Sequence, residues 1–234
     1  MKFFSKLGAL LSYPSSASSG FDSIQGYDDL KGIVIRALDT TDNYCLLFIG
    51  PPASAKTLFL EGILAMTKKG DGVYFDGSNT TNRILDVLEQ ERPRVICIDE
   101  LDKMSRTFQN QLLNLMESGR VKVDQQRRQY DFIIHGAKIF ATCNDISRIS
   151  KPLQSRFRKL FLHRYTQEEF LNVSEVVLPK TSPSVARYVG ANVWNRGGDI
   201  RDVISIGRLL KQNDGPDEIA SIIATISKYG VEEK

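Results

Sequence analysis

The stretch "GPPASAKTL", Gly50–Leu58, decides how the rest of the chain is read. It resembles a phosphate-binding loop, G-x-x-x-x-G-K-[ST], from which glycines have been removed. Ala55 stands where the pattern has its last glycine, and Ala53 stands where the common G-P-P-G variant has another. The loop lies between an apolar β-rich run, "CLLFI" (45–49), and an amphipathic helical pattern beginning near Lys56. A strand, a tight loop and a helix N-terminus are the context such a loop needs, because backbone N–H groups and the helix end surround phosphate oxygens there. The backbone of Gly50, Pro51, Pro52, Ala53, Ser54, Ala55 and Leu58 would then line the phosphates. Lys56 would reach the β and γ groups, and the Thr57 hydroxyl would bind Mg²⁺. Ala53 is expected to need positive φ, at a cost of about 1–2 kcal/mol for a residue with a Cβ. Ala55 adds a methyl where the backbone approaches the phosphates, although alanine suits a helix start. At their upper end penalties of that size weaken binding about ten- to thirty-fold, and they do not abolish it.

Taken alone, the loop also fits a turn of similar shape, and a second stretch separates the two readings. "VICIDELDK" (95–103) puts Asp99 and Glu100 at the end of a buried apolar strand, where a parallel neighbour would deliver them beside the loop. Asp99 would hold Mg²⁺ and Glu100 would polarise an attacking water as general base.

Further strand signals fall at 72–75, 94–98, 138–142 and 159–162, alternating with helical patterns near Lys56, Thr81 and Thr107. That alternation predicts a doubly wound parallel α/β sheet of five strands. After about Thr166 the strand signals stop, and helical patterns follow near Gln167, Ser184, Asp199 and Pro216. The expected division is an N-terminal arm over residues 1–20, an α/β nucleotide-binding domain over 21–165 and an all-helical lid over 166–234. The arm carries Phe3, Phe4, Leu7 and Leu10, and its apolar stretch is too short for a secretory signal. No stretch approaches the length of a membrane span. Cys45, Cys97 and Cys143 lie in or beside apolar runs without metal-like spacing, as reduced core thiols of a cytoplasmic protein do. The net charge of +3 neither requires nor excludes a nucleic-acid partner.

Over roughly Phe21–Tyr229 the motifs resemble those of the AAA+ ATPases, in family order. "FDSIQGYDDLKGIVIRAL" (21–38) is similar to the segment before the phosphate loop, which implies adenine binding by the backbone from Ile24 to Gly26. "ATCND" puts Asn144 at the sensor 1 position, with its amide toward the water or the γ-phosphate. "LQSRFRKL" resembles the arginine-finger box, with Arg156 as the finger and Arg158 as a second candidate. "GGDIRDV" resembles the sensor 2 region, with Arg201 reaching back to the phosphates. The resemblance implies ATP and Mg²⁺ as cofactors and a homo-oligomeric ring, usually of six subunits, because the finger acts on a neighbouring subunit. Each arginine also has a plainer reading, as one half of a surface ion pair or as part of a helix face.

"DGSNTTNRILDVLEQERP" (76–93) lacks the aromatic loop of threading unfoldases. The informative insertion is "GRVKVDQQRRQYDFIIHG" (119–136), two β-rich arms around a polar tip, which predicts a hairpin. Its position resembles the hairpin before sensor 1 in the RuvB, MCM and MoxR-type branches, and the latter two commonly have alanine before the loop lysine. Lys122, Arg127 and Arg128 would contact a nucleic-acid backbone and Tyr130 would stack on a base, while a hairpin tip is polar for solvation alone in many proteins. Three functions follow: a RuvB-like nucleic-acid motor without the winged-helix domain, a MoxR-type chaperone acting on a protein partner, or an ATP-binding switch that hydrolyses little.

Overall fold

The computed structural model describes residues 20–229, apart from 23, 25, 53, 80–82, 126–127 and 212–213. The expected arm therefore lies outside the described residues except for Gly20. A helix α1 (Asp28–Asp39) precedes β1 (Tyr44–Ile49), and α2 (Lys56–Met66) follows the loop. Then come β2 (Gly72–Asp76), α3 (Arg83–Glu91), β3 (Val95–Asp99) and α4 (Arg106–Ser118). The strands β4 (Arg120–Gln125) and β5 (Arg128–Ile133) lead to β6 (Lys138–Cys143), α5 (Lys151–Arg156) and β7 (Arg158–Phe161). From Gln167 on, the described elements are all helical: α6 (Gln167–Val177), α7 (Pro183–Asn195), α8 (Ile200–Gly207) and α9 (Pro216–Tyr229).

Five strands form one sheet in the order β2-β3-β6-β1-β7, and each neighbouring pair is parallel. The central strands are mostly apolar because both faces are covered, as parallel sheets require. Every residue of β6 is buried. One core joins Phe48, Phe59 and Phe140 to Val173, Val189, Val203 and Ile223, so the helices after Thr166 pack on the face that carries α1 and α2. The other face is filled by α3, α4 and the hairpin, through Leu88, Leu112, Val121 and Phe132.

The hairpin forms as the alternation predicts. β4 and β5 pair antiparallel from Arg120↔Ile133 to Gln125↔Arg128, which leaves the two residues between them outside the described chain. α4 ends at Gly119, where φ is +70° and a Cβ would meet the Ile134 carbonyl oxygen at 2.5 Å, so only glycine lets the chain reverse there. The alternation also decides what Tyr130 does. It is 3% exposed and its hydroxyl donates to Asp86 of α3 at 2.9 Å, so the stacking platform expected there is instead a core residue of the hairpin's inner face.

The cysteines are free thiols. Burial pushes those of Cys45 and Cys143 up to about 12. Among the described residues no helix is long and apolar enough to cross a membrane.

Candidate functional site

Three adjacent strands end together. Ile49 of β1 lies opposite Cys143 of β6, and Ile98 of β3 lies opposite Ala141. The residues just beyond, Gly50, Glu100 and Asn144, therefore share the carboxyl edge of the sheet, where open α/β folds place their ligands. The Gly50 N–H donates to the Cys143 carbonyl, and a Cβ on Gly50 would meet the Leu162 carbonyl oxygen at 2.6 Å. The first glycine of the loop is fixed by that crossing.

Among the described loop residues the strained position is Ala55, with φ 61° and ψ 5°, at the N-cap of α2. Ala55, at the missing last glycine, thus adopts the left-handed conformation despite its methyl, and Ala53, where positive φ is expected, lies outside the described residues. The chain needs the left-handed turn at Ala55 to enter α2 directly from the loop. No side chain caps α2, so its first-turn N–H groups remain available to an anion. Lys56 folds under the loop, 8% exposed. Its ammonium donates to the carbonyls of Gly50 at 2.9 Å and Pro51 at 2.6 Å and to the Ser54 hydroxyl at 3.2 Å. Burial lowers its pKa, and the Asp99 carboxylate partly offsets this.

Asp99 is the centre of the polar network. Its Oδ2 accepts from the Thr57 hydroxyl at 3.0 Å and from the Tyr74 hydroxyl at 2.8 Å. Its Oδ1 accepts from the Thr142 hydroxyl and from the Glu100 N–H at 3.2 Å. Glu100 itself is left-handed, with φ 53°, and its carboxylate pairs with Lys103 at 2.7 Å. Tyr74, Thr142 and Glu61 join this network without belonging to any of the sequence motifs. Thr142 is a hydroxyl within the buried run Ile139–Cys143, but its role depends on which strand lies beside β6. Glu61, one turn beyond Thr57, has its pKa raised by burial and then by Asp99, against a lowering by Arg201.

Arg201 therefore acts electrostatically on Glu61, and the same guanidinium helps lower the pKa of Lys56. The aspartates beside it are occupied by a capping box: Asp199 Oδ1 accepts from the Arg201 N–H and Asp202 Oδ2 from the Asp199 N–H. They start α8 through main-chain contacts. Asn144 is exposed just past β6. Arg156 is apart from these groups, at the end of α5, where it donates to the Pro152 carbonyl at 2.9 Å and pairs with Glu117 of α4. Ahead of α1, Gly26 is left-handed, with φ 69°. The main chain of Ile24 is engaged, its N–H with Phe21 O at 2.9 Å and its carbonyl with Lys31 at 2.7 Å.

The donor set suits a phosphate and a hard divalent cation: an uncapped helix N-terminus, a buried ammonium, and a hydroxyl already in contact with a carboxylate. On the hairpin's outer face, Arg120 donates to Asp131 through Nε at 2.7 Å and Nη2 at 2.6 Å, with Lys122 and Asp124 exposed beside them. Arg127 and the Arg128 side chain lie outside the described residues.

A family model described as "ATPase family associated with various cellular activities (AAA)" matches residues 46–165, just over half of the chain. Among solved structures, a point mutant of Thermotoga maritima RuvB superposes with a TM-score of 0.70 at 16% identity, covering 92% of this chain and 76% of that one. The T. maritima RuvB Holliday junction branch migration motor gives 0.63 at 18% identity, over 89% and 72% of the two chains. At those identities the likeness is one of fold. No curated protein sequence matches the chain.

Proposed function

We propose, for a chain that belongs to the AAA family of ATPases, that the carboxyl edge of the sheet binds ATP with Mg²⁺ and hydrolyses it. The observation that carries this is the contact of Thr57 with Asp99, 3.0 Å across 42 residues of sequence. It brings the end of the loop to the acidic strand at the uncapped start of α2. Mg²⁺, when bound, supplies charge neutralisation at the phosphate oxygens, and Thr57 and Asp99 are the residues to hold it. Lys56, already inside the loop, exchanges carbonyl partners for phosphate oxygens. Gly50, Pro51, Pro52, Ser54, Ala55 and Leu58 supply the backbone around them, and the segment at Gly26 borders the base. Glu100 leaves Lys103 to take a proton from the attacking water, which Asn144 orients, and Arg201 adds positive charge from α8. The helices from residue 166 onward act as the lid.

Arg156 completes the site of a neighbouring copy in a ring, six subunits being the family's usual number, and this requires it to leave Glu117. The buried thiols suit a reducing compartment such as the cytoplasm. The work of the ring falls to the β4–β5 hairpin, which we assign to nucleic acid through Lys122, Arg127 and Arg128, in the manner suggested by a fold shared with a branch migration motor. One observation favours a second reading, a protein partner: Asp124 and the Arg120–Asp131 pair make the described outer face mixed in charge. Steady-state ATP turnover with single-stranded, duplex and four-way-junction DNA tests the choice. Stimulation of at least about tenfold by one form supports the motor, and indifference to all three moves the function to a protein partner.

A further inference from the structure

The chain between Asn144 and Arg156 has the composition of a surface connection, yet buried polar side chains hold it at several points. The Asp145 N–H donates to Asp102 Oδ2 at 3.1 Å, just beyond the Glu100 turn. Gln109 of α4 is 1% exposed, and its amide bridges two segments. Its Nε2 donates to the Met104 carbonyl at 3.2 Å and the Arg148 carbonyl at 3.3 Å, and its Oε1 accepts from the Ser150 N–H at 2.9 Å. From the far side Gln154 of α5 donates to the carbonyls of Ile146 and Ile149, both at 2.8 Å. Ser150 is the N-cap residue of α5, the helix that ends at Arg156.

An amide has two donors and an acceptor, and Gln109 has both kinds engaged with the backbone of the segments it joins. The Gln109 and Gln154 amides are engaged, although Asp102 Oδ1 and Ser150 Oγ have no hydrogen-bond partner among the described residues, and buried bonds of this kind favour one arrangement of the segments they join. The joined segments are the turn that follows Glu100 and the start of the helix that carries Arg156. An apolar side chain at 109 would pack equally well on α4 while leaving the connection free to shift.

We propose that Gln109 is a positioning residue for the arginine finger: its amide fixes the Arg148–Ser150 turn to the Glu100 segment and so sets where Arg156 is presented to the neighbouring subunit. The inference rests on the ring reading above. A displacement of about 1 Å in a reacting constellation costs on the order of a hundredfold in rate, so a loosened turn reduces the finger's effect without removing the arginine.

Subunit mixing tests it. Rings mixed from Glu100→Gln subunits, which keep the finger, and Arg156→Ala subunits, which keep the site, recover turnover that neither has alone. Adding Gln109→Leu to the Glu100→Gln partner is expected to cut that recovery at least about tenfold, whereas adding it to the Arg156→Ala partner leaves most of it. Equal recovery with and without Gln109→Leu, or an equal loss whichever partner carries it, overturns the proposal. If the parent mixture does not recover, the ring reading fails and this inference with it. Gln154→Met loosens the same turn from α5 and is expected to show the same one-sided loss. If Gln109→Leu does not fold, Gln154→Met decides: a two-sided loss, or none, overturns the proposal.

Discussion

The site at the sheet edge and the β4–β5 hairpin are both polar regions, and they are built in opposite ways. In the first, Asp99 gathers Thr57, Tyr74 and Thr142 from three other segments of the fold, at separations of 25 to 43 residues. On the hairpin's outer face the polar side-chain contacts are local, Arg120 with Asp131 and Gln129 with Asp124, and the inner face reaches out through a hydroxyl, that of Tyr130 to Asp86. That inner face, Val121, Tyr130, Phe132 and Ile134, is otherwise given to packing. Convergence of distant polar groups on one carboxylate has no structural necessity in a core that could be apolar, so it points to chemistry. Local pairing across a ribbon is what any exposed hairpin shows.

The largest test of this contrast is Lys56→Ala, which should lower ATP affinity at least about a hundredfold, a loss of about 2.7 kcal/mol. Lys122→Ala on the hairpin should leave affinity within about twofold; calorimetric titration of both variants checks the pair, and equal effects would erase the distinction. Next is a matched removal of two hydroxyls. Tyr74→Phe takes an orienting donor from Asp99 and should raise the Mg²⁺ concentration for half-maximal nucleotide binding about tenfold. Tyr130→Phe removes the bond to Asp86, costs about 1 kcal/mol of stability and leaves the Mg²⁺ dependence unchanged.

Glu61→Gln reads the electrostatics of the site through stability. Burial beside Asp99 raises the pKa of Glu61 in the folded protein. The stability this contributes is present in acid, below the ordinary carboxylate range, and is lost as pH rises through the raised folded value. The variant should therefore be more stable than the parent at neutral pH, with the gap closing in acid. Denaturant unfolding across that range measures it, and a gap that widens toward acid would contradict the assignment. The smallest effect is expected from Ala55→Gly. It removes a left-handed penalty of about 1–2 kcal/mol but adds unfolded-state entropy, so the net gain should be at most about 1 kcal/mol. ATP affinity should rise no more than about fivefold.

The strands and helices were legible because period and punctuation decide them: β3 over Val95–Asp99 and α6 behind its Thr166–Glu169 capping box follow the sequence pattern closely. Lys56, Thr57 and Asp99 were legible because the loop and the acidic strand have characteristic spacing. Tyr74 and Thr142 were not, since their role depends on which strands become neighbours, and strand order is not written in local pattern. Tyr130 was misread for the same reason: alternation assigns it to one face of the hairpin, and only the packing of β5 on α3 shows that this face is inward. Gln109 is equally invisible, an ordinary helix residue until the Arg148–Ser150 turn is placed beside it.

The most direct measurement is a single pair of assays on the purified chain and on Glu100→Gln: ATP binding by calorimetry and Mg²⁺-dependent phosphate release. The site described here predicts that both proteins bind ATP within about threefold of each other and that release falls at least about a hundredfold in the variant, as loss of a general base requires. Equal release from the two proteins, or none from the parent chain, would contradict an ATP-hydrolysing centre at the carboxyl edge of the sheet.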